Sequence, residues 1–279
     1  MLKGINQWCY PEGTPLEKVF EYSHNAHFDA VELNLNPDDG VGLTLSTTED
    51  EAKLILELAH SYNLKLRSIS TGLLWKMPLS HPDAVIREKG RRVIEKQMEL
   101  ASVIGMDTVL VVPGIVTEET SYLECYTRSQ EELSKLIPLA QTLNINIGIE
   151  NVWNKFLMSP LEMRRYIDEL NSDYIGAYFD VGNVLQFGYP EQWITTLGQR
   201  IKKIHVKDFN VAVGNINGFV PLLAGDVNWK KVFIALEQIG YDDVVTSEIT
   251  PYTLDPRLLA NDTSRHMDEL FSLGNKVRN

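Results

Sequence analysis

The sequence predicts an α/β fold, a single closed (β/α)8 TIM barrel, on three observations. Short apolar runs rich in β-branched residues alternate with helical stretches eight times along the chain. Strict alternation of this kind implies a parallel sheet. Four of the runs stop abruptly at a chemically active side chain: 147–149 at Glu150, 177–179 at Asp180, 201–204 at His205 and 244–247 at Glu248. A buried parallel strand reads this way when its C-terminal end opens into a site. Finally, 279 residues suit one barrel of about 250 residues, so the domain is expected to span 1–279.

Residues 2–9 form the expected first strand, and 15–27 a helix with Pro15 at its start, where a missing N–H costs nothing. The second strand is 30–35. A helix over 48–62 follows, with Ser46, Thr47 and Thr48 as N-cap candidates and acidic residues in its first turn. After the third strand (64–70) comes an irregular stretch, 71–82, that carries Trp75 over the barrel mouth. A long helix over 82–104 closes at Gly105, a residue suited to the left-handed C′ position. The fourth strand, 108–112, runs into Pro113-Gly114. A loop over 115–126 and a helix over 129–143 precede the fifth strand, 147–150. A helix over 159–170, the sixth strand (175–180) and a helix near 191–198 come next. The seventh strand is 201–207, with a long loop at 211–224. A helix over 228–239, the eighth strand (244–249) and a helix near 263–273 complete the pattern. No G-x-G-x-x-G or Walker signature favours an open nucleotide-binding sheet.

In a parallel barrel every strand ends at one face, where this fold carries its chemistry. Glu150, Asp180, His205 and Glu248 come from four consecutive strands. The first two separations span one βα unit each, and the third is lengthened by the 211–224 insertion. Three carboxylates and one imidazole form a ligand set for one divalent ion. It suits Mn2+ best, with Mg2+, Co2+ or Zn2+ as alternatives, because structural zinc usually takes thiolates or several histidines. His24, His27, His60, His81 and His266 fall in helices or loops and are expected at the surface or in packing.

On these residues the chain resembles the xylose isomerase-like sugar phosphate isomerases and epimerases, in particular the ketose and L-ribulose-5-phosphate 3-epimerases. The resemblance rests on Ile149-Glu150-Asn151, Phe179-Asp180-Val181-Gly182-Asn183, His205-Val206-Lys207-Asp208 and Ser247-Glu248. Pro82-Asp83-Ala84-Val85-Ile86-Arg87 and Ala224-Gly225-Asp226-Val227-Asn228-Trp229 support it. It implies that Glu150, Asp180, His205 and Glu248 bind one divalent metal and that Glu150 and Glu248 also act as the acid/base pair. Many members have His where this chain has Asn183. Some phosphoketose epimerases have Asn there, which points toward a phosphorylated substrate.

The chemistry that needs this arrangement is proton transfer at a carbon next to a carbonyl, through a cis-enediolate. One glutamate removes the proton and the other returns one to the opposite face, giving C3 epimerisation of a ketose or ketose phosphate. A single base moving a proton between adjacent carbons would instead give an aldose–ketose isomerase, and expulsion of a β-hydroxyl a keto-inositol or keto-sugar dehydratase. Substrate-contact candidates are Lys155 and Lys207, just past ligand-bearing strand ends, with Asn183, Asp208, Trp8 and Glu32. Asn183 and Asp208 are alternatively expected to orient His205, and Trp8, Trp75 and Trp153 to wall off the sugar. Cys9 and Cys125 show no partner base and are assigned no chemistry.

Composition narrows the partners. A formal charge of −12 argues against a general nucleic-acid binder, which needs a basic face. An endonuclease IV-like enzyme would also need more strand-end histidines than His205. Two cysteines without a C-x-x-C pairing suit a reducing cytosol. The first residues read as a strand start and not a leader, and no apolar run approaches the roughly 18 residues of a membrane span. The expectation is a cytoplasmic protein acting on a small sugar or sugar phosphate, as a homodimer or homotetramer, with no nucleic acid and no membrane partner.

Overall fold

The computed structural model describes residues 1–275. Eight parallel strands close into a barrel: β1 (Leu2–Asn6), β2 (Ala30–Asn36), β3 (Lys65–Ser70), β4 (Thr108–Val111), β5 (Asn146–Glu150), β6 (Ile175–Asp180), β7 (Ile201–Val206) and β8 (Val244–Ser247). Closure is explicit in the pairing. β1 lies in register with β8 from Leu2↔Val244 to Ile5↔Ser247, and with β2 at Gly4↔Ala30. The predicted barrel is therefore the observed one.

Around it run α1 (Leu16–Asn25), α2 (Glu49–Ser61), α3 (Ala84–Ile104), α4 (Tyr122–Leu143), α5 (Pro160–Glu169), α6 (Pro190–Leu197), α7 (Trp229–Gln238) and α8 (Pro256–Asn275). Helices cover the outer face while side chains fill the inner one, so every residue of β6 is buried. That is why the strands read as continuous apolar runs. Thr48 and Glu51 make a reciprocal capping box at α2, and Gly105 closes α3 with φ 81°, both at the predicted ends.

Three boundaries differ from the sequence reading by three residues or more, and one loop holds a pairing it did not expect. β1 stops at Asn6, whose side chain accepts from the Trp8 amide and turns 7–9 into a 3-10 turn. Helix α4 begins seven residues before the predicted Ser129, because Ser121 and Glu124 form a second capping box. Helix α8 begins at Pro256 rather than near Thr263. Within the long loop after β7, Asp208–Phe209 pairs antiparallel with Phe219–Val220 as a small hairpin. Among the described residues no helix is long and apolar enough to cross a membrane.

Candidate metal centre

Registers at the C-terminal face bring the four predicted ligands together. Asp180 lies level with His205 across β6 and β7, and Thr246 of β8 is level with His205 on its other side. Glu150 ends β5. Glu248 follows β8, with its amide donating to the Val206 carbonyl at 3.1 Å. One ligand atom from each of Glu150, Asp180, His205 and Glu248 lies within 4.8 Å of all the others. Glu150, Asp180 and His205 are buried, and Glu248 is half-buried.

The strand ends are stitched to one another. Asn151 donates to the Asp180 carbonyl at 2.8 Å and accepts from the Asp180 amide at 2.9 Å. The Asn183 side chain donates to the Asn151 carbonyl at 2.9 Å. Asp180 also caps the turn that follows, its Oδ1 accepting from the Asn183 amide at 2.8 Å. This leaves Oδ2 facing the cluster. Gly182 is required here, since a β-carbon on it would lie 2.7 Å from the Lys207 carbonyl oxygen.

Beneath the cluster the barrel interior is polar. His205 Nε2 is 2.8 Å from Glu32 Oε1. Glu32 also accepts from Asn6 Nδ2 at 2.5 Å, Ser68 Oγ at 2.6 Å and the Tyr178 hydroxyl. An imidazole that donates from Nε2 to a carboxylate carries its lone pair on Nδ1, the tautomer a metal ligand needs. That Nδ1 points up at Glu248 Oε2 (3.5 Å), Glu150 Oε1 (3.6 Å) and Asp180 Oδ2 (4.0 Å).

The residues fit a divalent cation on two observations. His205 Nδ1, a buried atom of the set, makes no hydrogen bond, and Asp180 Oδ2 has only the ion pair with Lys207, a costly condition for the imidazole nitrogen unless a cation satisfies it. The charge balance agrees. Lys207 Nζ sits at the cluster, 2.6 Å from Glu248 Oε2 and 3.1 Å from Asp180 Oδ2. Three carboxylates around a dication leave one negative charge, which this ammonium offsets.

The two glutamates experience this environment differently. Burial, helped by the charge of Glu248, pushes the Glu150 carboxyl up to about 7. Burial works the same way on Glu248, but Lys207 and His205 outweigh it and hold Glu248 below the usual carboxylate range. Asp180 is raised, chiefly by burial. For His205 burial works toward the neutral form, and the surrounding Glu32, Glu150 and Glu248 carry its pKa well above the ordinary value. The shortage of positive charge lies on the Glu150 side, away from Lys207.

Above the cluster opens a cavity of about 820 Å³ whose lining includes Trp8, Trp75, Trp153, Asn183, Lys207 and Phe219. Trp8, Asn183 and Lys207 thus border this cavity, as do Trp75 and Trp153. Three predicted substrate contacts lie elsewhere. Glu32 is 2% exposed beneath His205, because β2 turns it into the barrel toward Ser68 and Tyr178, so it orients the imidazole instead. Asp208 is fully buried and anchors the following loop, accepting from the Phe209, Leu223 and Val227 amides and the Trp229 indole. Lys155 is exposed and lines a separate apolar pocket with Trp153, Phe187 and Trp193. Cys9, given no chemistry by its sequence context, has a positional role. Its Sγ donates to the Ser247 carbonyl and accepts from the Ile249 amide, bracketing Glu248.

Comparison with known proteins gives the family. Residues 20–270 match the family model described as xylose isomerase-like TIM barrel. The chain belongs to that family. Among curated members it is similar to the L-ribulose-5-phosphate 3-epimerase UlaE of Escherichia coli K12, 21% identical over 239 residues covering 85% of this chain and 83% of the relative. Among solved structures of this architecture it resembles a D-tagatose 3-epimerase-like protein, with TM-score 0.84, 22% identity and full coverage of both chains. An L-ribulose 3-epimerase follows at TM-score 0.81 and 18% identity, covering 99% of this chain and 97% of that one.

Proposed function

We propose that the chain is a metal-dependent epimerase that inverts C3 of a ketose or ketose phosphate, with Glu150 and Glu248 as the acid/base pair. One observation carries the reading. The two glutamates are the outer members of a four-strand arc, with Asp180 and His205 between them, a placement suited to serving opposite faces of one carbon. A divalent ion in this ligand set, Mn2+ by its oxygen-rich character, would supply Lewis-acid polarisation of the substrate carbonyl and the neighbouring hydroxyl. The rest falls to the protein. One glutamate takes the C3 proton and the other delivers a proton to the opposite face. His205, fixed by Glu32, holds the ligand geometry, and Trp8, Trp75 and Trp153 exclude water from the planar intermediate. The relatives named as ribulose and ribulose-phosphate 3-epimerases support the reaction class. A cytoplasmic location and a homodimer or homotetramer complete the reading.

The test is proton exchange in D2O by NMR, with Mn2+-loaded protein and a panel of pentuloses, hexuloses and their phosphates. Deuterium at C3 together with the C3 epimer is expected. Deuterium at C1 with aldose formation would replace the reading with an isomerase, and loss of water from the sugar with a dehydratase. Glu150→Gln and Glu248→Gln are each expected to abolish turnover, a loss of about 10²-fold or more. Near-normal rates in either variant would overturn the two-glutamate scheme.

A further inference from the structure

Against the expectation drawn from Asn183, we infer that the ketose taken by this site is unphosphorylated, its uncharged chain end lying against an apolar wall. The inference rests on the epimerase reading and narrows it. Away from the cluster the cavity is walled by Ile216, Val220, Ile249, Pro251 and Tyr252 together with the tryptophans. Among the described residues lining it, Lys207 is the one Lys or Arg. Its ammonium is already committed to Glu248 and Asp180. A phosphate dianion needs cations or free backbone amides.

Barrels of this kind that take phosphates frequently hold them on the loops after strands 7 and 8 and on a helix N-terminus. Here several amides after β7 are taken up from within the loop. The Asp208 carboxylate accepts the Phe209, Leu223 and Val227 amides at 2.9, 3.0 and 3.1 Å. Asp226 takes the Val211 amide at 2.8 Å, and Asn228 caps α7 by accepting from the Lys231 amide. Gly225 shows how tightly this is built, since a β-carbon there would lie 2.3 Å from Asp208 Oδ1. Two carboxylates thus hold amides that an anion would otherwise need. After β8, Arg257 is held in a two-point pair by Asp255. Lys155 does not line this cavity but a neighbouring one. A phosphate entering the mouth would be buried without a partner, whereas a neutral hydroxymethyl or methyl end would lie against hydrocarbon.

The experiment compares kcat/KM of the metal-loaded protein for L-ribulose, D-tagatose and D-fructose with that for the terminal phosphate ester of each, by NMR exchange at C3. The best free ketose is expected to exceed its own ester by about 100-fold or more, the scale of a charge left unpaired on burial. Inorganic phosphate in excess is expected to leave turnover of the free sugar unchanged. An ester turned over as well as or better than its free ketose overturns this inference and leaves the epimerase reading standing. No C3 exchange with either form of any ketose overturns both.

Discussion

A carboxylate at the centre of a barrel persists only where donors surround it, and Glu32 has Asn6, Ser68, Tyr178 and His205. Its effect reaches the cluster through a single bond, the one from His205 Nε2. Glu32→Gln keeps the volume but removes the charge that fixes the imidazole tautomer. Metal affinity is therefore expected to fall about 10- to 100-fold, read by calorimetric titration of Mn2+ into dialysed protein. Unchanged affinity would show that His205 needs no such support. The four residues of the cluster are legible in the sequence because each interrupts an apolar run at its C-terminal end. Glu32 was not assignable in the same way. It sits inside Ala30–Asn36, at a register shift between Val31 and Leu33, and its partners lie on strands far away in sequence. Lys207 is visible as a candidate, but its place beside Asp180 and Glu248 depends on which way the chain turns after β7. Only the folded barrel sets that direction.

The loop after β7 shows what one residue does for a whole element. Phe209 packs on Phe219 and Trp153, but the shape of the loop's backbone depends on where its amides find acceptors. Asp208 supplies acceptors for three amides and the Trp229 indole, tying the hairpin, the 223–227 turn and the start of α7 to one buried point. Asp208→Ala is expected to cost about 2–4 kcal/mol, since it strands several donors at once. Hydrogen exchange is expected to accelerate across 209–229 and not in the opposite half of the barrel. Protection unchanged in that segment would refute the anchoring role. Here the sequence carried less. Two-residue strands such as Phe219–Val220 are too short for any periodicity to register. The Ser121 and Glu124 capping pair was present in the sequence, but it lay inside a stretch read as loop, which delayed the predicted start of α4. Regular elements with strong caps, α2 and α3, were legible to within a residue or two at their ends.

At the scale of the whole molecule the barrel must hold its lower rim closed while the upper rim carries uncompensated acid. The eight-fold alternation made the closed barrel legible, and the strand-end motifs the family. How the bottom is held was not legible, because the residues responsible read as ordinary solvated charges. Lys203 of β7 is 2% exposed and pairs with Asp107 at 2.6 Å and Asp243 at 2.5 Å. Arg67 of β3 reaches the same two aspartates, at 2.5 and 3.4 Å. Asp107 and Asp243 immediately precede β4 and β8, so this group ties opposite halves of the barrel across its base. Burial works against the Asp243 charge, but Lys203 outweighs it and lowers the pKa below the ordinary 3.8. A depressed carboxyl contributes stability that is present above its unfolded value and lost as the pH falls through the folded one. Lys203→Met, which leaves two aspartates facing each other with Arg67 alone, is expected to lower stability by about 2–4 kcal/mol near neutral pH. In the metal-free protein the gap between wild type and variant should narrow as the pH falls below about 4, because a protonated Asp243 no longer needs the ammonium. Calorimetric melting of both proteins from neutral to acid pH reads this directly. A gap that stays constant with pH would mean that Lys203 stabilises the base by packing its alkyl chain and not by its charge.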